Sequence, residues 1–114
     1  MNSDILSERI AGILLDKKAR DIDTIKIDKI TILADYFVIA TGTSTVNIRS
    51  LSDEVKEVLE SEGVECLHVE GYVSGRWILM DYGSVIVHIF HEEERKYYSL
   101  ERLWSDGVMK RKEI

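Results

Sequence analysis

An apolar run that passes through a glycine turn straight into an amphipathic helix is the feature that most constrains this fold. The run "DYFVIAT" at residues 35–41 has the near-continuous hydrophobicity of a central strand. Gly42 interrupts it, Ser44 can cap the next helix, and Gly63 can end that helix. The helix carries one apolar side, formed by Ile48, Leu51, Val55, Val58 and Leu59. A strand followed by a long covering helix predicts a crossover to a parallel neighbour.

The rest of the pattern predicts a mixed sheet flanked by helices. Alternation in "DTIKID" indicates a strand at residues 23–28, and three more are expected at about 65–70, 76–81 and 85–90. The link "DYGS" at residues 81–84 is typical of a hairpin turn, in which Gly83 tolerates positive φ. A first helix is expected at residues 4–20 with Ser3 as its N-cap, and a last helical region begins at Glu92. We therefore predict an α/β fold with a mixed, mostly five-stranded sheet.

Length and charge limit the class of protein. A chain of 114 residues fits one domain, which we assign to residues 1–114 with a core at about 24–105 and a tail at 108–114. The formal net charge is -6, which disfavours DNA or bare RNA as the main partner because phosphate binding relies on clustered Lys and Arg. A basic protein surface is a better complement. The basic residues Lys110, Arg111 and Lys112 are expected to form a solvated tail.

The sequence also indicates a compartment. Cys66 is the single cysteine, so no intrachain disulfide can form. No secretory signal is recognisable, and no run of about 18 apolar residues exists to span a membrane. We expect a cytoplasmic protein without membrane association.

The sequence gives only weak signals for a reactive site. The turn "TGTS" before a helix could bind an anion or nucleotide, but any strand-to-helix junction needs a glycine turn and a serine cap. His88 and His91 do not match a metal-ligand spacing and point to opposite faces of a continuing strand, so we expect a hydrogen-bonded structural role for His88. No catalytic residue, cofactor or metal is predicted, and we expect a protein that is not an enzyme.

The strand "RWILMDY" is more informative. Period-two alternation puts Trp77, Leu79 and Asp81 on one face and Ile78 and Met80 on the other. If helices cover only one face of the sheet, the first set forms an interaction patch with an aromatic anchor and a charge at its margin. The alternative, in which Trp77 belongs to the core, is equally compatible with the sequence.

Four segments resemble the ribosomal silencing factor family, also called the Iojap-related family. They are "ADYFVIATGTS" (34–44), "EG" (70–71), "WILMDYGSVIVHIF" (77–90) and "ERKYYSLERLW" (94–104), and the resemblance covers residues 25–104. It implies a nucleotidyltransferase-like fold without enzymatic activity, and the chain lacks the Asp-x-Asp pair that is expected after a Gly-Ser turn in active nucleotidyltransferases. It further implies binding to the large ribosomal subunit through ribosomal protein uL14, which blocks joining of the small subunit and represses translation.

On this resemblance we place the uL14 contact on the strand that holds Trp77, the expected anchor. The charged candidates are Asp81, Glu70 and Glu101, edge contacts are expected from Tyr98 and Arg95, and the weaker candidates are Leu79, Met80 and Tyr82. Three alternatives stay open: a nucleotide-binding enzyme using the turn from Gly42 to Ser44, a ribosome-assembly adaptor, and a homodimer of the free protein that buries the same patch.

Overall fold

A computed structural model describes the backbone of residues 1–98 and 108–112, and the side chains of residues 1–96. The elements in chain order are α1 (Ser3–Asp16), β1 (Arg20–Lys26), β2 (Tyr36–Gly42), α2 (Thr45–Ser61), β3 (His68–Glu70), β4 (Trp77–Asp81), β5 (Val85–His91), α3 (Glu92–Tyr98) and β6 (Val108–Lys112). The continuation of the last helical region beyond Tyr98 lies outside the described residues.

The strands form one six-stranded mixed sheet in the order β3-β4-β5-β2-β1-β6. The β2–β5 pair is parallel and α2 lies in the crossover between its strands, whereas the other pairs are antiparallel. This confirms the predicted α/β class and mixed sheet. All five expected strands are present, and a sixth, β6, forms at the edge where a solvated tail was expected, with Arg111 in register with Asp23.

Local capping explains where the two long helices begin and end. The Asn2 side chain accepts a hydrogen bond from the Ile5 amide at 2.9 Å, so the N-cap is Asn2 and not Ser3. The chain turns at Lys18, with φ 64°, and so α1 ends earlier than predicted. The predicted Ser44 cap and left-handed Gly63, with φ 82°, are confirmed. Among the described residues, no helix is long and apolar enough to cross a membrane.

The hairpin between β4 and β5 has the predicted turn. Gly83 has φ 83°, and its amide donates to the Asp81 Oδ1 at 2.7 Å, while the Tyr82 amide donates to the Val85 carbonyl. The resulting register places Leu79 opposite His88 and Trp77 opposite Phe90. This register determines which aromatic side chains share a face.

The two faces of the sheet are covered differently. Helices α1 and α2 pack on one face over a large core, to which β4 contributes Ile78 and Met80. The opposite face, here called the distal face, holds a smaller cluster around Ile25, Ile39 and Phe90. The short helix α3 packs mainly against β5 and β2. The distal side of β4 is therefore less covered by the described helices than its other side.

Candidate functional site

Strand β4 has the alternation that the sequence predicts. Ile78 and Met80 are 0% and 1% exposed, whereas Trp77, Leu79 and Asp81 are half-buried on the distal face. The Trp77 side chain packs on the smaller cluster of the distal face and keeps part of its surface exposed.

Neighbouring strands extend this exposed area. Phe37 of β2 and Ile86 of β5 are in register with each other, lie on the distal face and are half-buried. Together with Trp77, Leu79 and the carboxylate of Asp81, they form what we call the Trp77 surface. Phe37 and Ile86 were missed in the sequence, although the parallel register of β2 and β5 would have identified them.

Within the part of the chain that the structure describes, two aromatic neighbours hold the Trp77 ring. Its Nε1–H donates a hydrogen bond to the His88 Nδ1 at 3.1 Å, and its ring stacks on Phe90 with centroids 4.6 Å apart and an interplanar angle of 29°. The His88 ring meets Phe37 edge-on at 4.7 Å. The predicted hydrogen-bonded histidine is therefore confirmed, and its donor is the candidate anchor itself.

Burial determines the charge state of His88. The residue is 5% exposed, and desolvation lowers its pKa from 6.5 to about 4, so the ring is neutral near neutral pH. Since Nδ1 accepts from Trp77, the ring proton is on Nε2. Nε2 is buried, and no hydrogen-bond partner for it is found among the described residues.

The acidic candidates lie on the strands at the β3 side of the sheet. Asp81 pairs in register with His68 of β3, and Glu70 pairs with Leu79. The exposed Glu70 carboxylate contacts the His68 Nε2 at 3.0 Å. Both carboxylates thus flank the half-buried Leu79, which gives the apolar area a negative margin.

Arg95 requires a correction, because it is not an edge contact. Its side chain is 8% exposed and forms a buried ion pair with the fully buried Asp23 of β1. It also donates to the Thr41 Oγ1 at 3.1 Å and to the carbonyl of Asp21, a residue with φ 47° at an irregularity in β1. Arg95 therefore ties α3 to β1 and β2, a role that the sequence did not indicate.

Two of the weaker candidates are also corrected. Met80 and Tyr82 are 1% and 7% exposed and belong to the core beneath α1 and α2, so neither offers its side chain to a partner. Burial is the main cause that raises the pKa of the Tyr82 hydroxyl. For Tyr98 the structure gives only the backbone, as the last residue of α3, and Glu101 lies outside the described residues.

The turn from Gly42 to Ser44 is closed by its own side chains. The Asn47 Oδ1 accepts from the Thr43 amide, and the Ser44 Oγ accepts from the Asn47 amide, both at 3.0 Å. A Cβ on Gly42 would lie 2.5 Å from the Ile48 side chain. The glycine thus serves helix packing, and the amides of Thr43 and Asn47, near the start of α2, already have side-chain acceptors. Among the described residues, no group of three or more metal-ligating side chains occurs either.

Comparison with known proteins gives one consistent result. A family model described as "Ribosomal silencing factor during starvation" matches residues 2–114. The chain is 41% identical over 92 residues to the ribosomal silencing factor of Halalkalibacterium halodurans, which covers 81% of this chain and 79% of the relative. It is 38% identical over 109 residues to that of Bacillus subtilis, covering 96% and 92%.

More distant relatives and solved structures agree. The mouse protein named "Mitochondrial assembly of ribosomal large subunit protein 1" is 30% identical over 101 residues, which cover 86% of this chain and 44% of the mouse protein. A crystal structure of a protein from Chromobacterium violaceum superposes with a TM-score of 0.89 at 34% identity, covering 92% of this chain and 88% of that chain. Because the family model spans almost the whole sequence and both bacterial relatives align over most of their length, the chain belongs to the family of ribosomal silencing factors.

Proposed function

We propose that this protein binds the large ribosomal subunit through ribosomal protein uL14 and sterically blocks joining of the small subunit, which represses translation in the cytoplasm. The observation that carries the proposal is the Trp77 surface, an aromatic and aliphatic area left half-exposed on the distal face of a ribosomal silencing factor. The proposal contains no catalytic step, and it needs no cofactor.

The make-up of the Trp77 surface fits a protein interface with a basic partner. Interface centres are apolar and rich in aromatic residues, and charged groups lie at the rim. Here Trp77, Leu79 and Ile86 supply the centre, and Asp81 and Glu70 supply the acidic rim. Such carboxylates attract Lys and Arg of the partner and reject acidic surfaces. The protein measures 34 × 34 × 27 Å, so its bulk alone would obstruct a subunit docking at the same place.

The first experiment measures subunit binding by cosedimentation. Trp77→Ala removes the central side chain of the surface and should weaken binding to isolated large subunits by about 30-fold or more, corresponding to at least about 2 kcal/mol. The matched control is Ile5→Ala, which removes an exposed aliphatic group from α1 on the opposite side of the sheet. Unchanged binding by a folded Trp77→Ala variant would refute the anchor role.

A second experiment separates silencing from an assembly role. Purified large and small subunits are mixed with and without the protein, and subunit joining is followed on a gradient. The proposal expects fewer joined ribosomes with the wild-type protein and near-normal joining with Trp77→Ala. Binding to the large subunit without a joining defect would instead favour a ribosome-assembly adaptor.

The identity of the partner is tested with purified uL14. Direct binding that weakens with rising salt is expected, because exposed carboxylates and basic side chains attract each other less when screened. Asp81→Asn should weaken binding less than Trp77→Ala, since rim charges contribute less than central anchors. A protein that binds large subunits but not uL14 would require another ribosomal partner.

We also propose that the free protein self-associates and that this self-association competes with binding to the ribosomal partner. A homodimer that buries the Trp77 surface would hide its apolar groups until the ribosomal partner displaces the second copy. Light scattering should then show a larger mass for the wild-type protein than for Trp77→Ala. Equal masses for the two proteins would exclude a dimer formed through this surface.

A further inference from the structure

The indole N–H is the only polar group of the Trp77 side chain, and it is directed into the protein. Its N–H is 3.1 Å from the His88 Nδ1, and one face of the ring stacks on Phe90. An indole has a single hydrogen-bond donor and no acceptor nitrogen. Because the N–H is bonded to His88 inside the protein, the exposed part of Trp77 presents only carbon atoms and the edge or face of the π-system.

A histidine at position 88 is unfavourable for folding. Its ring is buried among Phe37, Trp77 and Phe90, and its Nε2–H has no hydrogen-bond partner among the described residues. A buried donor left without an acceptor destabilises the folded chain. An aliphatic side chain would fill the space without that cost. What histidine supplies and an aliphatic group cannot is the acceptor for the Trp77 N–H.

We infer that His88 is a positioning residue of the Trp77 surface, which fixes the indole with its N–H inward so that the partner meets only the hydrocarbon part of the ring. The inference rests on the function proposed above and specifies how the anchor is presented. Fixing a side chain before binding avoids the entropy cost of ordering it in the complex. His88 therefore acts through Trp77 without touching the partner.

This orientation also specifies the chemistry that the partner must place on Trp77. A carbon and π surface accepts an aliphatic stem or a guanidinium, and it offers nothing to a carbonyl or carboxylate acceptor. The carboxylates of Asp81 and Glu70, which flank Leu79 on the same face, favour the same cationic side chains. The contact on Trp77 is thus a long basic side chain of the partner, laid against the ring.

The test uses two substitutions at His88 in the full chain. His88→Leu removes the acceptor, and His88→Asn keeps an oxygen near the position of Nδ1. The free energy of unfolding of His88→Leu, measured by urea denaturation, should equal or exceed that of the wild type. The variant should nevertheless bind large subunits about three- to tenfold more weakly. His88→Asn should retain most of the affinity. If His88 had only a structural role, His88→Leu would instead lose stability and keep its affinity for large subunits.

A double-mutant cycle with Trp77→Phe isolates the hydrogen bond, because phenylalanine keeps an aromatic ring but has no N–H. His88→Leu should have no further effect on affinity in the Trp77→Phe background. Equal losses in both backgrounds would overturn the inference, since His88 would then act through something other than the indole.

The indole N–H resonance of Trp77 gives a readout in the free protein. The chain has two tryptophans, so two indole signals are expected, and Trp77→Phe assigns them. His88→Leu should shift the Trp77 signal and speed its hydrogen exchange. A released indole with undiminished subunit affinity would refute the positioning role. If Trp77→Ala itself leaves binding intact, the proposed function fails, and the resonance still shows whether the contact exists.

Discussion

Acid should destabilise this protein through His88 in a way that one substitution can isolate. Burial lowers the pKa of His88 from 6.5 to about 4 in the folded chain, whereas the unfolded chain exposes the ring and restores the ordinary value. Between these two pKa values the unfolded state binds the extra proton and the folded state does not. The free energy of unfolding therefore falls as the pH decreases through this range.

The size of the effect follows from the two pKa values. Integrating the linkage relation gives a loss of about 3 kcal/mol once the pH is well below 4, and about 1.3 kcal/mol between pH 7.5 and pH 5.5. The second interval is the practical one, because it stays above the isoelectric point near 5.0. A loss of that size is a substantial part of the stability of a small domain.

The assay is urea denaturation of the wild type and His88→Leu at both pH values. Other groups titrate in the same interval, so the informative quantity is the loss for the wild type minus the loss for the variant, expected at about 1.3 kcal/mol. A difference near zero would mean that His88 titrates alike in the folded and unfolded chains, and the description of a buried neutral ring would be wrong.

Three further changes test other parts of the fold, each by urea denaturation. Asp23→Asn should cost about 3 kcal/mol, because it removes the carboxylate paired with the buried Arg95, and a cost below about 1 kcal/mol would contradict that pairing. Gly71→Ala should cost more than about 2 kcal/mol, since φ is 80° and the new Cβ would lie 2.0 Å from the Trp77 carbonyl oxygen; unchanged stability would disprove this close approach. Ile32→Ser should change stability by less than about 0.5 kcal/mol because the side chain is fully exposed, and a larger loss would reveal packing.

Features governed by neighbours in sequence were predictable. Alternation in β4 identified the residues that share a face with Trp77, and Gly83 identified the hairpin turn. The Ser44 cap and Gly63 marked both ends of α2. The Trp77–His88 hydrogen bond could also have been predicted, because the hairpin register makes His88 a diagonal neighbour of Trp77 across β4 and β5.

Features that depend on strand order were not predictable from local pattern. Arg95 follows three glutamates, as the residues of a solvated helix do, and its partner Asp23 is 72 residues earlier in the chain. Only the adjacency of β5, β2 and β1 brings the two together. Likewise, the charged segment of β6 shows no strand alternation, and it is a strand because the edge of β1 offers it backbone partners.

The Arg95–Asp23 pair fixes where α3 lies across the sheet. Helix α3 starts directly after β5, and Arg95 reaches Asp23 and Thr41, which lie on β1 and β2. On the other side of the helix, Glu94 pairs with Arg76, the residue directly before β4, at 2.7 Å. A buried ion pair adds little net stability compared with apolar packing, but it discriminates strongly against arrangements that leave either charge unpaired. The Arg95–Asp23 pair is therefore best understood as fixing the position of α3 over β5 and β2 rather than as a source of net stability.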